Sequence, residues 1–281
     1  MTLSELFQSI TNAVRGKTLK TDKIEHLKIP DEINEITTAE MMLQKTISNV
    51  KTNVGTIPEY AFYNQTSLKT VNMPNVESIG TSAFSGCTSL KSVISSCKVT
   101  NLPTSMFTNC SNLTDLQIFG EEAESGVLHI TTGTSIGSNV FAGCKAFKKL
   151  IIDEGVTLKS ENQFSNMTGL KEVILPSDLT AISSYMFRYL NVDTLELPAS
   201  VVKLYTQCFR YSHIGKLIIR NTDSVITMIS SDVFWESDIA KGIGYIYVPD
   251  ALVEDYKSAT NWITYANQIK GISELESEVT E

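Results

Sequence analysis

The side chains best suited to chemistry are sparse and scattered. The three histidines, His26, His129 and His213, have no Cys, Asp or Glu at metal-ligand spacing. No Gly-x-Ser-x-Gly elbow and no Gly-x-x-x-x-Gly-Lys loop occurs. Glu121, Glu122 and Glu124 lie close enough together to hold a cation, but a solvated loop explains them as well. Five cysteines (87, 97, 110, 144, 208) are an odd number without a Cys-x-x-Cys pair, which speaks against a disulfide framework and against zinc. The residues therefore predict no catalytic site, no metal and no cofactor. The chemistry that remains is recognition: Tyr185, Arg188, Tyr189, Tyr205, Arg210, Tyr211 and Trp235 combine the side chains that dominate interface hot spots.

What positions them is a repeat. Phe recurs at 62, 84, 107, 141, 164, 187, 209 and 234, at steps of 22, 23, 34, 23, 23, 22 and 25 residues. A fixed period of this size marks a solenoid, in which each coil buries its apolar side only by stacking on the next. An apolar residue stands five before each Phe except Phe164, where Leu158 stands six before. After each Phe a polar turn leads into a period-two apolar segment such as Leu68, Val71, Met73 or Leu170, Val173, Leu175. That alternation predicts a strand with one face buried, and Pro74, Pro176 and Pro198 stop it. The step of 34 contains an insertion, about residues 120–133, expected to be a loop and the most mobile segment.

Both ends read as covers. Thr2 with Glu5 opens an amphipathic helix over 1–16, and Thr37 with Glu40 opens a second reaching about Lys51. Residues 17–56 then make a connector and N-terminal capping helix, and 57–249 the solenoid. Asp250 and Asn261 are expected to cap two helices over 250–272, the second carrying Ile269 and closed by Gly271, before an acidic tail at 273–281.

The solenoid leaves two outward columns between the buried strand positions. One contains Asp115, Lys149 and Glu172, whose alternating signs suit stacking in register. The other contains Ile94, Ile151, Ile174 and Ile218, and apolar side chains on a water-facing strand surface suggest a contact site unless the caps, the insertion or a second chain covers them. The early turns place small or polar groups just after the Phe (Ser85-Gly86, Thr108-Asn109). The later ones carry Arg188-Tyr189, Arg210-Tyr211 and Trp235-Glu236, which a tight turn does not ask for. Cys87 and Cys110 share one column on adjacent coils, within bridging reach at the ~4.8 Å spacing of stacked strands; buried free thiols are the expectation and a bridge the alternative.

The bulk numbers exclude several classes. A net charge of -8 lacks the basic face that nucleic acid requires. No apolar run is long enough to span a bilayer, and Met1–Phe7 lacks the basic n-region of a secretory signal. An apolar content of 42% supports a packed core.

Ile79-Gly80-x-x-Ala83-Phe84-x-x-Cys87-x-x-Leu90-x-x-Val93, with its equivalents over about 55–250, resembles the BspA-like class of bacterial leucine-rich repeats. Cys87, Cys110 and Cys144 stand at that class's Cys position. The resemblance implies an α/β, right-handed leucine-rich-repeat solenoid of about eight coils, with a parallel sheet on one side, short helical or irregular turns on the other and helical caps. It also implies a non-enzymatic binding or adhesion module that recognises a protein or glycan at a bacterial or host surface. Residues 9–18 resemble a segment of prophage tail-associated proteins. That implies an alternative, a virion receptor-recognition protein self-associating through its N-terminal helix.

Overall fold

The computed structural model describes residues 48–120, 122–158 and 161–278. The helix expected over 1–16 and most of the one ending near Lys51 lie outside them. Where the second helix was expected to finish, Asn49–Lys51 is instead a strand, β1, with Val50 buried between two exposed neighbours. It pairs in parallel with β3 (Thr70–Asn72), so its alternation serves as the first rung of the sheet.

The coil has three sides. The first carries three parallel sheets of four, three and four strands. These are β1, β3, β5 (Ser92–Ile94) and β7 (Asp115–Gln117); then β8 (Val127–Ile130), β10 (Lys149–Ile152) and β12 (Glu172–Ile174); then β14 (Asn191–Leu197), β16 (His213–Ile219), β18 (Tyr245–Val248) and β19 (Ile269–Gly271). The second side carries two-residue strands: β2 (Thr56–Ile57) with β4 (Ser78–Ile79); β6 (Asn101–Leu102), β9 (Ser135–Ile136) and β11 (Thr157–Leu158); β13 (Ala181–Ile182), β15 (Lys203–Leu204) and β17 (Thr227–Met228). Every pairing is parallel, because each coil repeats the path of the one before. Strands before, within and after the eight Phe coils raise the solenoid to about ten turns.

The third side holds the Phe turns, and it is not helical. Phe62 N donates to Ala83 O, Phe84 N to Met106 O and Phe107 N to Val140 O, with matching bonds two residues to either side, such as Tyr60 N to Thr81 O and Asn64 N to Ser85 O. The bend between rungs comes from left-handed residues placed two before and two after the Phe. Ser105 and Asn109 at φ 58° and 60° are one such pair, and Asn162 and Asn166, both at 60°, are another. All eight Phe rings line up as one interior spine, each parallel to the next, with centroids between 5.2 Å (Phe62–Phe84) and 6.2 Å (Phe187–Phe209) apart. Offset stacking of this kind adds to the area each ring buries.

The insertion is not the expected loop. Its C-terminal part is β8, in register with β10 from Val127↔Lys149 to Ile130↔Ile152, with Leu128 and Ile130 fully buried. Gly126 N donates to Thr114 O and Lys148 N to Gly126 O, so the segment is stacked between its neighbours. On the other two sides no rung is added: β6 pairs directly with β9, and Phe107 stacks on Phe141 at 5.9 Å. The insertion is thus a short-circuited coil that serves the first side alone. Backbone amides that can be satisfied by stacking are not left in water, which is why these residues order.

The C-terminal end also differs from two capped helices. It consists of a 3-10 turn at Asp250–Leu252, α1 (Val253–Ser258), a second 3-10 stretch at Ile263–Gln268, β19 and α2 (Ile272–Glu278). Asp250 does not cap the turn it begins; its Oδ1 accepts from Ser273 N at 3.3 Å and Ser273 Oγ at 2.8 Å, in the first turn of α2. Ile269 and Gly271 belong to β19, where Gly271 pairs with Val248. The segment still covers the last coil: Tyr265 packs edge-on against Phe234 at 5.2 Å, and Trp262 Nε1 donates to Ile226 O at 2.8 Å.

Candidate functional site

The later turns bring four of the aromatic and basic residues together. Each sits where the coil geometry forces it outward, beside a spine Phe. Tyr189 follows Phe187 by two and Tyr211 follows Phe209 by two, so both occupy the left-handed position, at φ 63° and 58°. On earlier coils Gly86, Asn109, Gly143 and Asn166 fill that position. For a bulky side chain this backbone costs about 1–2 kcal/mol.

Stacking offsets that cost. The Tyr189 and Tyr211 rings lie 4.9 Å apart at 15°. The Arg188 guanidinium sits 4.9 Å from the Tyr189 centroid and 5.6 Å from that of Tyr211, and Arg210 sits 4.7 Å from Tyr211. Arg210 Nη1 donates to Gln207 Oε1 at 2.6 Å and its Nη2 to the Tyr211 hydroxyl at 2.9 Å, while Gln207 Nε2 donates to Asp232 Oδ2 at 2.9 Å. Polar capacity remains: Arg188 Nε, Arg210 Nε and Asp232 Oδ1 are buried without a partner among the described residues. The result is a ladder of two rings and two guanidinium groups, held from behind by Gln207 and Asp232. Trp235 joins it through the backbone, Tyr211 N donating to Trp235 O, and the residue is 54% exposed. Tyr185 occupies the other left-handed position, two before Phe187 (φ 58°), and Tyr205 faces the second side with Lys203 Nζ 5.6 Å from its ring.

The isoleucine column does not form one surface. Ile94 is exposed but flanked in register by Asn72 and Gln117. Ile151 lies between His129 and Ile174, which makes the only adjacent pair of the four, with Ile174 41% exposed. Ile218 is 5% exposed. Its flanks explain this: the fully buried Tyr247 is the next rung, and Glu196 on the other side forms a two-pronged ion pair with Arg220. Sequence reading missed Tyr247 because the closing strand had no counterpart in the pattern. In the other column, β8 separates Asp115 from Lys149 and places Val127 beside the lysine. Only Lys149 and Glu172 pair, at 2.9 Å.

The remaining reactive groups serve the scaffold. Cys87, Cys110 and Cys144 are free, and each thiol donates to the carbonyl of the spine Phe one coil earlier: Phe62, Phe84 and Phe107. Burial raises all three thiol pKa values, that of Cys87 to about 12. His129 Nε2 meets Asp153 Oδ1 at 2.9 Å and His213 Nδ1 meets Asp238 Oδ1 at 3.0 Å. No group of three metal-ligating side chains occurs among the described residues. His26 lies outside them. No helix among the described residues is long and apolar enough to cross a membrane.

A parallel-sheet solenoid with an interior Phe spine and coils of about 22 residues defines a leucine-rich-repeat scaffold. The chain belongs to the family of the BspA type leucine-rich repeat region, six copies of which match residues 40–125 and 134–252. No curated protein sequence matches it. Among solved structures it is similar to a leucine-rich repeat protein from Bacteroides ovatus ATCC 8483 (15% identity, 72% of this chain and 63% of that one, TM-score 0.44). It is also similar to a leucine-rich cell surface protein from Faecalibacterium prausnitzii A2-165 (18%, 78% and 82%, 0.28) and to the pneumococcal vaccine antigen PcpA (16%, 80% and 77%, 0.38). The chain thus spans less than two thirds of the length of the first. The prophage similarity over 9–18 lies outside both the matched and the described residues.

Proposed function

We propose that the chain is a non-enzymatic binding module, displayed at a bacterial surface, whose later coils recognise a protein or glycan through the Arg188–Tyr189–Arg210–Tyr211 ladder and Trp235. One observation carries this reading. Two tyrosines stand on left-handed backbone that earlier coils give to Gly or Asn, so the scaffold tolerates strain to keep two rings outward. Family membership supports it, since repeat solenoids of this kind offer extended surfaces for binding. Fold alone does not name the partner.

The test is an array of glycans and host-matrix proteins probed with the full chain. Binding should be lost in the combined Tyr189→Asn, Arg210→Ala, Tyr211→Asn, Trp235→Ala variant, with a melting temperature close to the parent's. Asn is the residue that Asn109 and Asn166 show the turn accepts. Retained binding with a large loss of stability would mean that the ladder serves only to stiffen the coil.

A further inference from the structure

The second-side ladder lapses between β11 and β13, and a cleft opens there. Leu158, in the last strand before the lapse, is only half-buried, unlike its equivalents Ile136 and Ile182. The cleft reaches the fully buried Met186, is walled by the exposed Tyr205, and carries Glu161, Asp178 and Ser183 among its lining groups. Lys203 is engaged against the Tyr205 ring at 5.6 Å, and among the described residues the charged side chains that line the cleft are the two carboxylates.

A second observation lies behind the cleft wall at Ser183. Gln163 is fully buried in an interior column whose neighbours are Val140 and Met186. Its Oε1 accepts from the cleft residue Ser183 Oγ at 3.1 Å, yet its Nε2 has no partner among the described residues. A buried amide left unpaired carries a penalty that an apolar side chain would avoid, so Gln163 is kept here for what its Oε1 does, which is to hold the Ser183 hydroxyl.

We infer that this cleft binds a neutral sugar residue. Its apolar face lies on Tyr205, its hydroxyls donate to Glu161 and Asp178, and Ser183, whose hydroxyl donates to the Gln163 behind it, offers its Oγ as a further acceptor. An aromatic wall combined with a few convergent polar groups is how small polar ligands are oriented, and charged acceptors make the stronger hydrogen bonds. Two carboxylates oppose anionic sugars and phosphate. The inference rests on reading the chain as a binding module, but it places the sugar away from the Arg–Tyr ladder.

The experiment is saturation-transfer NMR on the full chain with the methyl glycosides of glucose, galactose, mannose and N-acetylglucosamine at millimolar concentration. N-acetylneuraminic acid and ethanolamine serve as anionic and cationic comparators. At least one neutral glycoside should give transfer, and Tyr205→Ala and Gln163→Met should each weaken it at least fivefold. Gln163→Met should melt no lower than the parent, because it replaces the unpaired amide with the side chain that the next coil already carries at Met186. Absence of transfer from all four glycosides, transfer from a comparator alone, or unchanged affinity in both variants would overturn the inference. The Tyr189→Asn, Tyr211→Asn variant should keep the glycoside signal. Loss of array binding alone therefore indicts the ladder, and loss of glycoside transfer alone indicts the cleft.

Discussion

At the scale of single residues, what the side chains do depends on which side of the coil they meet. Cys87 is the buried free thiol that the sequence suggested: it donates to Phe62 O, and burial raises its pKa from 9.0 to about 12. Burial likewise raises that of Tyr256 from 10.0 to about 12. Both groups hold their protons more tightly folded than unfolded. Their contribution is therefore complete below about pH 9 and is lost as pH climbs from there through 12, as the unfolded chain ionises first. The melting temperature should hold steady up to about pH 9 and fall above it, less steeply in Cys87→Ala. In the native state a disulfide reagent at pH 8 should find the half-buried Cys97 and leave Cys87, Cys110, Cys144 and Cys208 unmodified until denaturant is added. The recognition residues were equally visible in sequence as types. Their mutual stacking was not, because it depends on left-handed backbone that no residue in Arg188-Tyr189 announces.

At the scale of elements, the repeat pattern located the strands after each Phe and the five-residue offset to the second side, except at Phe234, where Met228 and not the exposed Ile229 holds the ladder position. It failed where one element departs from the repeat. β8 has no Phe and no offset residue, so a pattern keyed to Phe passes over it as an insertion. Its order comes from pairing with β10 and from the bond of Gly126 N to Thr114 O at the end of β7. Leu128→Ala should therefore cost about 2–5 kcal/mol in denaturant unfolding, where a surface loop would cost almost nothing. Hydrogen exchange should protect Val127–Ile130 to the same degree as Lys149–Ile152. The C-terminal segment misled for a related reason. Helical spacing of Trp262, Tyr265 and Ile269 is real, but pairing with Val248 and its neighbours draws Ile269–Gly271 into the sheet.

At the scale of the whole molecule, stability is a sum over coils and the contacts between them, and the ends are the weak points. The last spine ring, Phe234, is sheltered by Trp262 and Tyr265. Trp262→Ala should lower stability by about 3–5 kcal/mol. Hydrogen exchange should rise first in β16 to β18 and leave β3 and β5 as protected as before. Uniform loss of protection would show that the solenoid unfolds as one block.

The sequence by itself determined the solenoid, its period, its Phe spine and the family, because a buried column must repeat the same residue type at every turn and so writes itself into the chain. Only the tertiary structure decided which outward residues share a surface. The isoleucine column divides around Asn72, Gln117, His129 and Tyr247, the Arg–Tyr ladder closes on itself, and the cleft opens where the second-side ladder lapses between β11 and β13. Outward positions are free of the packing constraint that makes the interior periodic, so their neighbours are set by register, by backbone handedness and by elements that carry no repeat of their own.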